Sequence, residues 1–263
     1  MKMMNSIRKV SLVIVSLLLL SACVTETQNP AFNVEKSDTQ ALQDYLKLAV
    51  GYLDQGDLAS AKRHLNNAVK IDPNNAEIFA IWGLIYAREG EFDLADENFR
   101  RSLRIDGNNS KTRNNYSAFL FAQSRYQDAY NELERVVRDT EYDQRSQAFE
   151  NMGVAALRLD RKEDAERAFT RALQLNPNQL RSALELTSLN LDRGDLLQAR
   201  GYWRNYLTLI QFYNLGHNAR SLLVGARLEK ALMNDDNARQ YGELLRTNFP
   251  GSPEYQQYRQ NLE

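Results

Sequence analysis

GDLASAKRHLNNAVKIDPNN, residues 56–75, and GEFDLADENFRRSLRIDGNN, residues 90–109, are two copies of one pattern. The copies align without a gap at a spacing of 34 residues, and matching positions hold the same or similar side chains: Gly56 and Gly90, Ala61 and Ala95, Leu65 and Phe99, Asp72 and Asp106. Repetition with a period of about 20–50 residues is typical of solenoids, in which each unit buries its apolar face against the next. The spacing therefore predicts a stack of similar units.

The residue types within one period predict two antiparallel helices, called the A helix and the B helix below. Gly56 lies where the A helix would end, because glycine readily adopts the left-handed conformation that follows many helices. Pro73 lies after the B helix, since proline has no N–H and clashes with the preceding turn. The asparagine pairs Asn74-Asn75 and Asn108-Asn109 predict a turn and then the cap of the next A helix.

Small and large side chains also recur at fixed positions of the period. Counted from Leu42, positions 8, 20 and 27 are small and positions 4, 11 and 24 are large: Ala49, Ala61 and Ala68, then Tyr45, Tyr52 and Leu65. This pattern resembles the tetratricopeptide repeat, in which small residues let the two helices approach closely and large residues fill the gaps between them. The fifth copy departs from it, with Thr187 at position 8.

The resemblance implies an all-α fold over residues 39–263, a right-handed superhelical solenoid of about six tetratricopeptide helix pairs. The expected repeats are residues 42–75, 76–109, 110–145, 146–179, 180–213 and 219–252, followed by a closing helix at 253–263. The sixth repeat fits only after a five-residue insertion. The A helices should line the concave face of such a stack.

The start of the chain has the pattern of a secretory signal peptide. Arg8 and Lys9 precede the apolar run Val10–Leu20, which has roughly half of the about 20 residues that a transmembrane helix needs. Leu20-Ser21-Ala22-Cys23 resembles a bacterial lipobox. This resemblance implies that residues 1–22 are removed and that Cys23 carries a covalent lipid, with residues 23–38 as a flexible tether. Val24, in place of aspartate, implies sorting to the outer membrane.

A buried free cysteine is the alternative for Cys23, since the chain has no second cysteine for an internal disulfide. The chain has 33 basic and 34 acidic residues, and residues 1–22 contain three basic residues and no acid. The mature chain is therefore mildly acidic, which argues against nucleic-acid binding. His64 and His217 have no partner at metal-ligand spacing, and His64 is expected on the surface of a B helix. We expect no catalytic residue, metal, cofactor or small-molecule substrate.

Binding of a protein partner along the concave face is the remaining function. The predicted groove residues are Leu46, Val50, Leu53, Ile81, Leu84, Arg88, Asn115, Phe121, Asn151 and Arg158. Asn115 and Asn151 share position 6 of their repeats, and an asparagine amide can both donate to and accept from an extended peptide backbone. Two alternatives stay open: these residues form an ordinary hydrated face, or the apolar strip packs against a segment such as Pro30–Val34.

A lipobox, a short tether and six repeats together resemble the pilotin lipoproteins of type IV pilus biogenesis, the PilF/PilW family. Two stretches carry the resemblance most clearly, YLDQGDLASAKRHLNNAVKIDPNN (52–75) and NNYSAFLFAQSRYQDAYNELE (114–134). The resemblance implies that the chain binds the secretin subunit PilQ at the periplasmic face of the outer membrane and promotes its localisation and multimerisation. Alternatives are another envelope scaffold lipoprotein, for outer-membrane protein assembly or cell-wall synthesis, or the regulatory subunit of a separate enzyme.

Overall fold

The structure, a computed structural model, describes residues 37–262, which contain thirteen helices and no strand. The helices are α1 (Asp38–Asp54), α2 (Leu58–Ile71), α3 (Ala76–Glu89), α4 (Phe92–Ile105), α5 (Ser110–Ala122), α6 (Tyr126–Val136), α7 (Arg145–Arg158), α8 (Lys162–Leu175), α9 (Leu180–Asp192), α10 (Leu196–Phe212), α11 (Ala219–Ala231), α12 (Asp235–Asn248) and α13 (Pro253–Asn261). The predictions for residues 1–22 and for Cys23, and most of the tether, lie outside this range. None of the described helices is long and apolar enough to cross a bilayer.

The chain from Leu42 onward forms one compact unit. Odd-numbered helices α1 to α11 are the A helices, and each packs on the B helix that follows it. Helix α13 closes the stack against α11 and α12. Apolar clusters follow one another along the whole unit, as expected when each pair buries its face against the next. The prediction of an all-α tetratricopeptide solenoid is confirmed.

The turns between repeats are built as the asparagine pairs predict. Asp72 accepts hydrogen bonds from the backbone N–H of Asn74 at 3.1 Å and from the side chain of Asn75 at 3.2 Å. Asn75 then caps α3, since its side-chain oxygen accepts from the N–H of Glu77. The second repeat ends in the same way. Asp106 accepts hydrogen bonds from the backbone N–H of Asn108 and the side chain of Asn109, and Asn109 caps α5. One short sequence thus ends a B helix and starts an A helix.

A left-handed residue follows each of the six A helices at position 15 of the repeat. Glycine supplies it at Gly56, Gly90 and Gly194, with φ between 79° and 82°. The degenerate copies keep the same backbone without glycine: Ser124, Asp160 and Met233 have φ of 59°, 55° and 63°. Because a Cβ atom disfavours this conformation, the stacking of the pairs must impose it there.

The small and large positions meet as predicted inside the pairs. Phe99 and Phe169, both at position 24, are fully buried and lie against Gly83 and Gly153 at position 8. The alanines at position 20 are fully buried or nearly so: Ala61, Ala95, Ala129, Ala165, Ala199 and Ala238. Thr187 fits position 8 because its hydroxyl donates to the carbonyl of Ala183 at 2.8 Å, so the buried oxygen is satisfied.

Candidate functional site

The A helices of the first three pairs line a cavity of about 500 Å³. Its walls come from α1, α3 and α5 and mix apolar and polar side chains: Val50, Leu53, Asp54, Glu77, Ala80, Ile81, Leu84, Arg88, Asn109, Lys111, Thr112 and Asn115. Half-buried Val50 and Leu84 are its accessible apolar residues, and two acidic and two basic side chains surround them. We call this cavity the N-terminal groove. It has the mixed lining that suits a peptide with apolar side chains.

Three predicted groove residues belong to the core instead. Leu46, Leu53 and Ile81 are 2%, 2% and 3% exposed and share one apolar cluster between the first two pairs. Leu53 and Ile81 still border the groove, whereas Leu46 does not. The prediction that Leu46 is available to a partner is therefore wrong, because the second helix pair stacks over it.

Arg88 is exposed at the edge of the groove, where a hydrogen bond to a neighbouring helix holds its side chain. Its guanidinium donates a hydrogen bond to the carbonyl of Leu53 in the last turn of α1. Carbonyls at a helix C-terminus have no partner within the helix and carry partial negative charge, so a cation is favoured there. Arg88 thus joins the first two A helices at the rim of the groove.

A second, smaller cavity of about 150 Å³ lies further along the A helices. It is lined by Ser117, Ala118, Phe121, Leu133, Asn151, Val154 and Arg181. Phe121 is held edge-on by Tyr126, with ring centroids 5.0 Å apart, and Arg158 lies over the same tyrosine ring at 5.9 Å. Asn115 lines the N-terminal groove and Asn151 lines this cavity, so the structure places the two predicted asparagines in separate cavities.

Sequence reasoning missed several charged residues of these cavities. Glu77, Lys111 and Arg181 all occupy position 2 of their A helices and line one cavity or the other. Position 2 of an A helix faces the concave side, as position 6 does, so the repeat register itself could have identified these residues. Each lies in the first turn of its A helix, next to the turn that connects two repeats.

Ion pairs occupy the corresponding face of the last two repeats. The Glu185 carboxylate accepts from Arg220 at 2.9 and 2.5 Å, and Asp192 accepts from Arg227 at 2.6 Å. Burial would lower the pKa of Arg220, but the hydrogen bond and charge of Glu185 outweigh it and raise that pKa. These side chains join α9 to α11. The predicted groove residues all lie in the first four repeats, on the A helices that line the two concave cavities.

His64 is not the surface residue that the sequence predicted. Its ring stacks on Tyr52 at a centroid distance of 5.2 Å and is half-buried between the first two helices. Within residues 37–262, no group of three or more histidine, aspartate or glutamate side chains is arranged to hold a metal ion. The candidate site of the described chain is the surface that carries the two concave cavities, formed mainly by α1, α3, α5, α7 and α9.

Comparison with known proteins identifies the structural class to which this chain belongs. Profiles of the tetratricopeptide repeat match residues 46–110 and 146–179, which include the whole of the second helix pair and nearly all of the fourth. Together with the six pairs and the concave groove, this makes the chain a tetratricopeptide repeat protein.

The chain is 38% identical over 244 residues to the type IV pilus assembly protein PilF of Pseudomonas aeruginosa, with 91% of this chain and 93% of PilF covered. A solved structure of P. aeruginosa PilF superposes with a TM-score of 0.78 at 37% identity, over 86% of this chain and 99% of that one. The crystal structure of PilW, a widely conserved type IV pilus biogenesis factor, gives 0.67 at 27% identity, over 83% and 98%. The chain belongs to the PilF/PilW family.

Proposed function

We propose that this chain is the pilotin of a type IV pilus: it binds the secretin subunit PilQ in the N-terminal groove and carries it to the outer membrane. There it promotes assembly of the secretin multimer from the periplasmic face. Membership of the PilF/PilW family supports the pilus, and the lipobox ending at Cys23 supports the membrane anchor.

The observation that carries the binding role is the open N-terminal groove. Val50 and Leu84 offer apolar surface that no neighbouring repeat covers completely, and such surface binds apolar side chains of a partner. The half-buried amide of Asn115 has both donors and acceptors with which to pair an extended backbone. A groove that supplies apolar contact and an amide can hold many sequences loosely, which suits transport of an unassembled subunit.

The proposed lipid anchor on Cys23 determines where the bound subunit is carried. Each buried methylene of an acyl chain contributes about 0.8 kcal/mol, and two or more chains anchor a protein durably where one chain does not. A groove on the solenoid and a lipid on Cys23 together bring the secretin subunit to the membrane surface. Subunits held there are concentrated in two dimensions, which favours multimerisation.

The test is complementation of a strain that lacks this gene. Wild-type protein should restore secretin multimers in the outer membrane, seen by immunoblot of separated membranes. Cys23→Ser should give a folded periplasmic protein and multimers that are lost or mislocalised. Ser21→Ala keeps a small residue before the cysteine and serves as the matched control, which should behave as wild type. Normal multimers in the outer membrane of the deletion strain, or with Cys23→Ser, would contradict the proposal.

A further inference from the structure

A separate cleft lies between the B helices of the second and third pairs. It has a volume of about 440 Å³, with α4 and α6 as its walls and α5 as its floor. Its lining is Arg100, Leu103, Arg104, Arg113, Tyr116, Leu120, Arg125, Asp128, Asn131, Glu132 and Arg135. None of these residues lines the N-terminal groove or the second concave cavity. We call it the arginine cleft.

The inner part of the arginine cleft is a fixed ionic network. Asp96 of α4 accepts hydrogen bonds from Arg125 at 2.6 Å and from the hydroxyl of Tyr116 at 2.8 Å, and it pairs with Arg100 at 2.6 Å. Burial would raise the pKa of Asp96, but these hydrogen bonds and charges outweigh it and lower that pKa. On the floor, Arg113 pairs with Glu132 where both side chains are largely buried. These ion pairs and hydrogen bonds hold α4, α5 and α6 together around the cleft.

The outer part carries positive charge that the network does not neutralise. Five arginines meet three acids, Asp96, Asp128 and Glu132, which leaves an excess of two positive charges. Within residues 37–262, Arg104 forms no ion pair, and Arg135 lies 3.4 Å from Glu132, whose other oxygen already pairs with Arg113. This local excess occurs in a chain that is mildly acidic as a whole.

The exposed guanidinium groups of the cleft lie on opposite walls. Arg100 and Arg104 are one turn apart on α4, and Arg135 lies on α6. The side chains of Arg100 and Arg135 are 54% and 58% exposed, so both can still bind a ligand. Guanidinium groups bind carboxylates through two parallel hydrogen bonds, which makes arginine the preferred residue for such recognition.

We propose that the arginine cleft binds a short run of consecutive acidic residues, in extended conformation, from a protein partner. Residues one turn apart on a helix have Cβ atoms about 5–6 Å apart, and alternate side chains of an extended chain are separated by about 6–7 Å. Alternate carboxylates of the run therefore match Arg100 and Arg104 on one wall. The carboxylate between them points the opposite way, towards Arg135 and Asn131 on the other wall.

The surroundings favour a single chain over an anionic membrane surface. Exposed acids flank the arginines: Asp93 and Glu97 lie on α4 and Glu134 lies on α6, while Asp128 lines the cleft itself. A flat anionic bilayer that reached the arginines would also meet these like charges. A narrow peptide can enter between α4 and α6 and reach the arginines of both walls.

The test uses the full chain in non-ionic detergent and a fluorescein-labelled peptide, Gly-Ser-Asp-Glu-Asp-Glu-Asp-Ser-Gly, followed by fluorescence anisotropy. The control peptide has Asn and Gln in place of the acids and should bind at least tenfold more weakly. The double variant Arg104→Gln with Arg135→Gln should weaken binding of the acidic peptide at least tenfold, and added salt should weaken it further. Arg171→Gln on α8, an exposed arginine outside the cleft, should leave binding unchanged.

Both variants change exposed side chains, and thermal melts will show that they fold as wild type does. Equal binding of the two peptides, or wild-type binding by the double variant, would overturn the proposal. Detergent micelles that contain phosphatidylglycerol supply a second arm. They should not displace the peptide. If these micelles displace the peptide from wild type and bind the double variant more weakly, the ligand of the cleft is an anionic lipid. That result would also overturn the proposal.

Discussion

A Cβ atom on Gly153 would lie 2.7 Å from Cε1 of Phe169, closer than unstrained side chains approach. Gly153 lies on α7 and Phe169 on α8, so this contact sets the distance between the two helices of the fourth pair. Gly83 and Phe99 make the same contact in the second pair, where the corresponding distance is 2.9 Å. Two copies of the repeat therefore use the same combination, a glycine on the A helix under a phenylalanine of the B helix.

Gly153→Ala should destabilise the protein although alanine favours helix. Overpacking of a filled core costs typically about 1–3 kcal/mol, which exceeds the about 1 kcal/mol that helix propensity contributes. The midpoint of urea unfolding should fall, and adding Phe169→Leu should restore part of it. Gly201→Ala is the matched control, because a Cβ at that exposed position of α10 would meet no atom within 4 Å beyond its own turn of helix. A Gly153→Ala variant as stable as Gly201→Ala would contradict this account.

Met233→Gly should stabilise the protein. Met233 has φ of 63° and is 90% exposed, so its side chain contributes little contact in return for an unfavourable backbone. Relief of the left-handed strain, about 1–2 kcal/mol, outweighs the greater freedom of glycine in the unfolded chain, for a net gain of about 0.5–1 kcal/mol. Thermal unfolding measures it. Met233→Ala retains the strain and should not raise the unfolding temperature, while Gly194→Ala introduces the strain and should lower it.

Stability should fall as pH drops below 6.5, in part through His217. Burial lowers the pKa of His217 from its usual 6.5, and its ring lies beside Trp203, 5.9 Å away between centroids. The imidazole of His217 binds a proton more tightly in the unfolded chain than in the folded one. The stabilisation that neutral His217 gives the folded protein is therefore fully present above pH 6.5 and is lost as the pH falls. His217→Phe keeps a ring and removes the titration, so its unfolding free energy should decline less between pH 7 and 5.5. Parallel curves for the two proteins would exclude this role.

Under the proposed function, Leu84→Glu should weaken binding of the secretin subunit at least tenfold with a small effect on thermal stability, because Leu84 lines the N-terminal groove and is only half-buried. Leu48→Glu is the matched control, since Leu48 is 44% exposed on α1 and does not line the groove. Affinity capture with purified PilQ measures the difference.

Leu46→Glu should behave differently from both, because burial of an unpaired carboxylate costs several kcal/mol. Leu46 is 2% exposed, so this variant should lower the unfolding temperature before any effect on binding can be seen.

The Leu84 prediction has one contradicting outcome. Equal capture of PilQ by wild type and Leu84→Glu would show that the partner does not bind in the N-terminal groove.

Much of the fold was predictable because its determinants are local. Asp72, Asn74 and Asn75 interact within four consecutive residues, so the turn and the cap of α3 can be inferred from sequence alone. The groove was predictable as a face, since the repeat register assigns each A-helix position to one side. The exposure of single residues was not predictable. Leu46 and Leu84 are the same residue type, and only the stacking of the second pair buries one and leaves the other half-exposed.

The amino-acid sequence by itself determined the 34-residue period, the helix pairs and the residues that end each helix, because these depend on hydrogen bonds and packing between near neighbours in the chain. Tertiary structure alone decided which side chains meet from different helices. It placed Arg104 and Arg135 on facing walls of one cleft and imposed the left-handed conformation on Met233, where the residue type does not favour it. Both results depend on how one rigid pair stacks on the next, which the sum of many weak contacts along the solenoid determines.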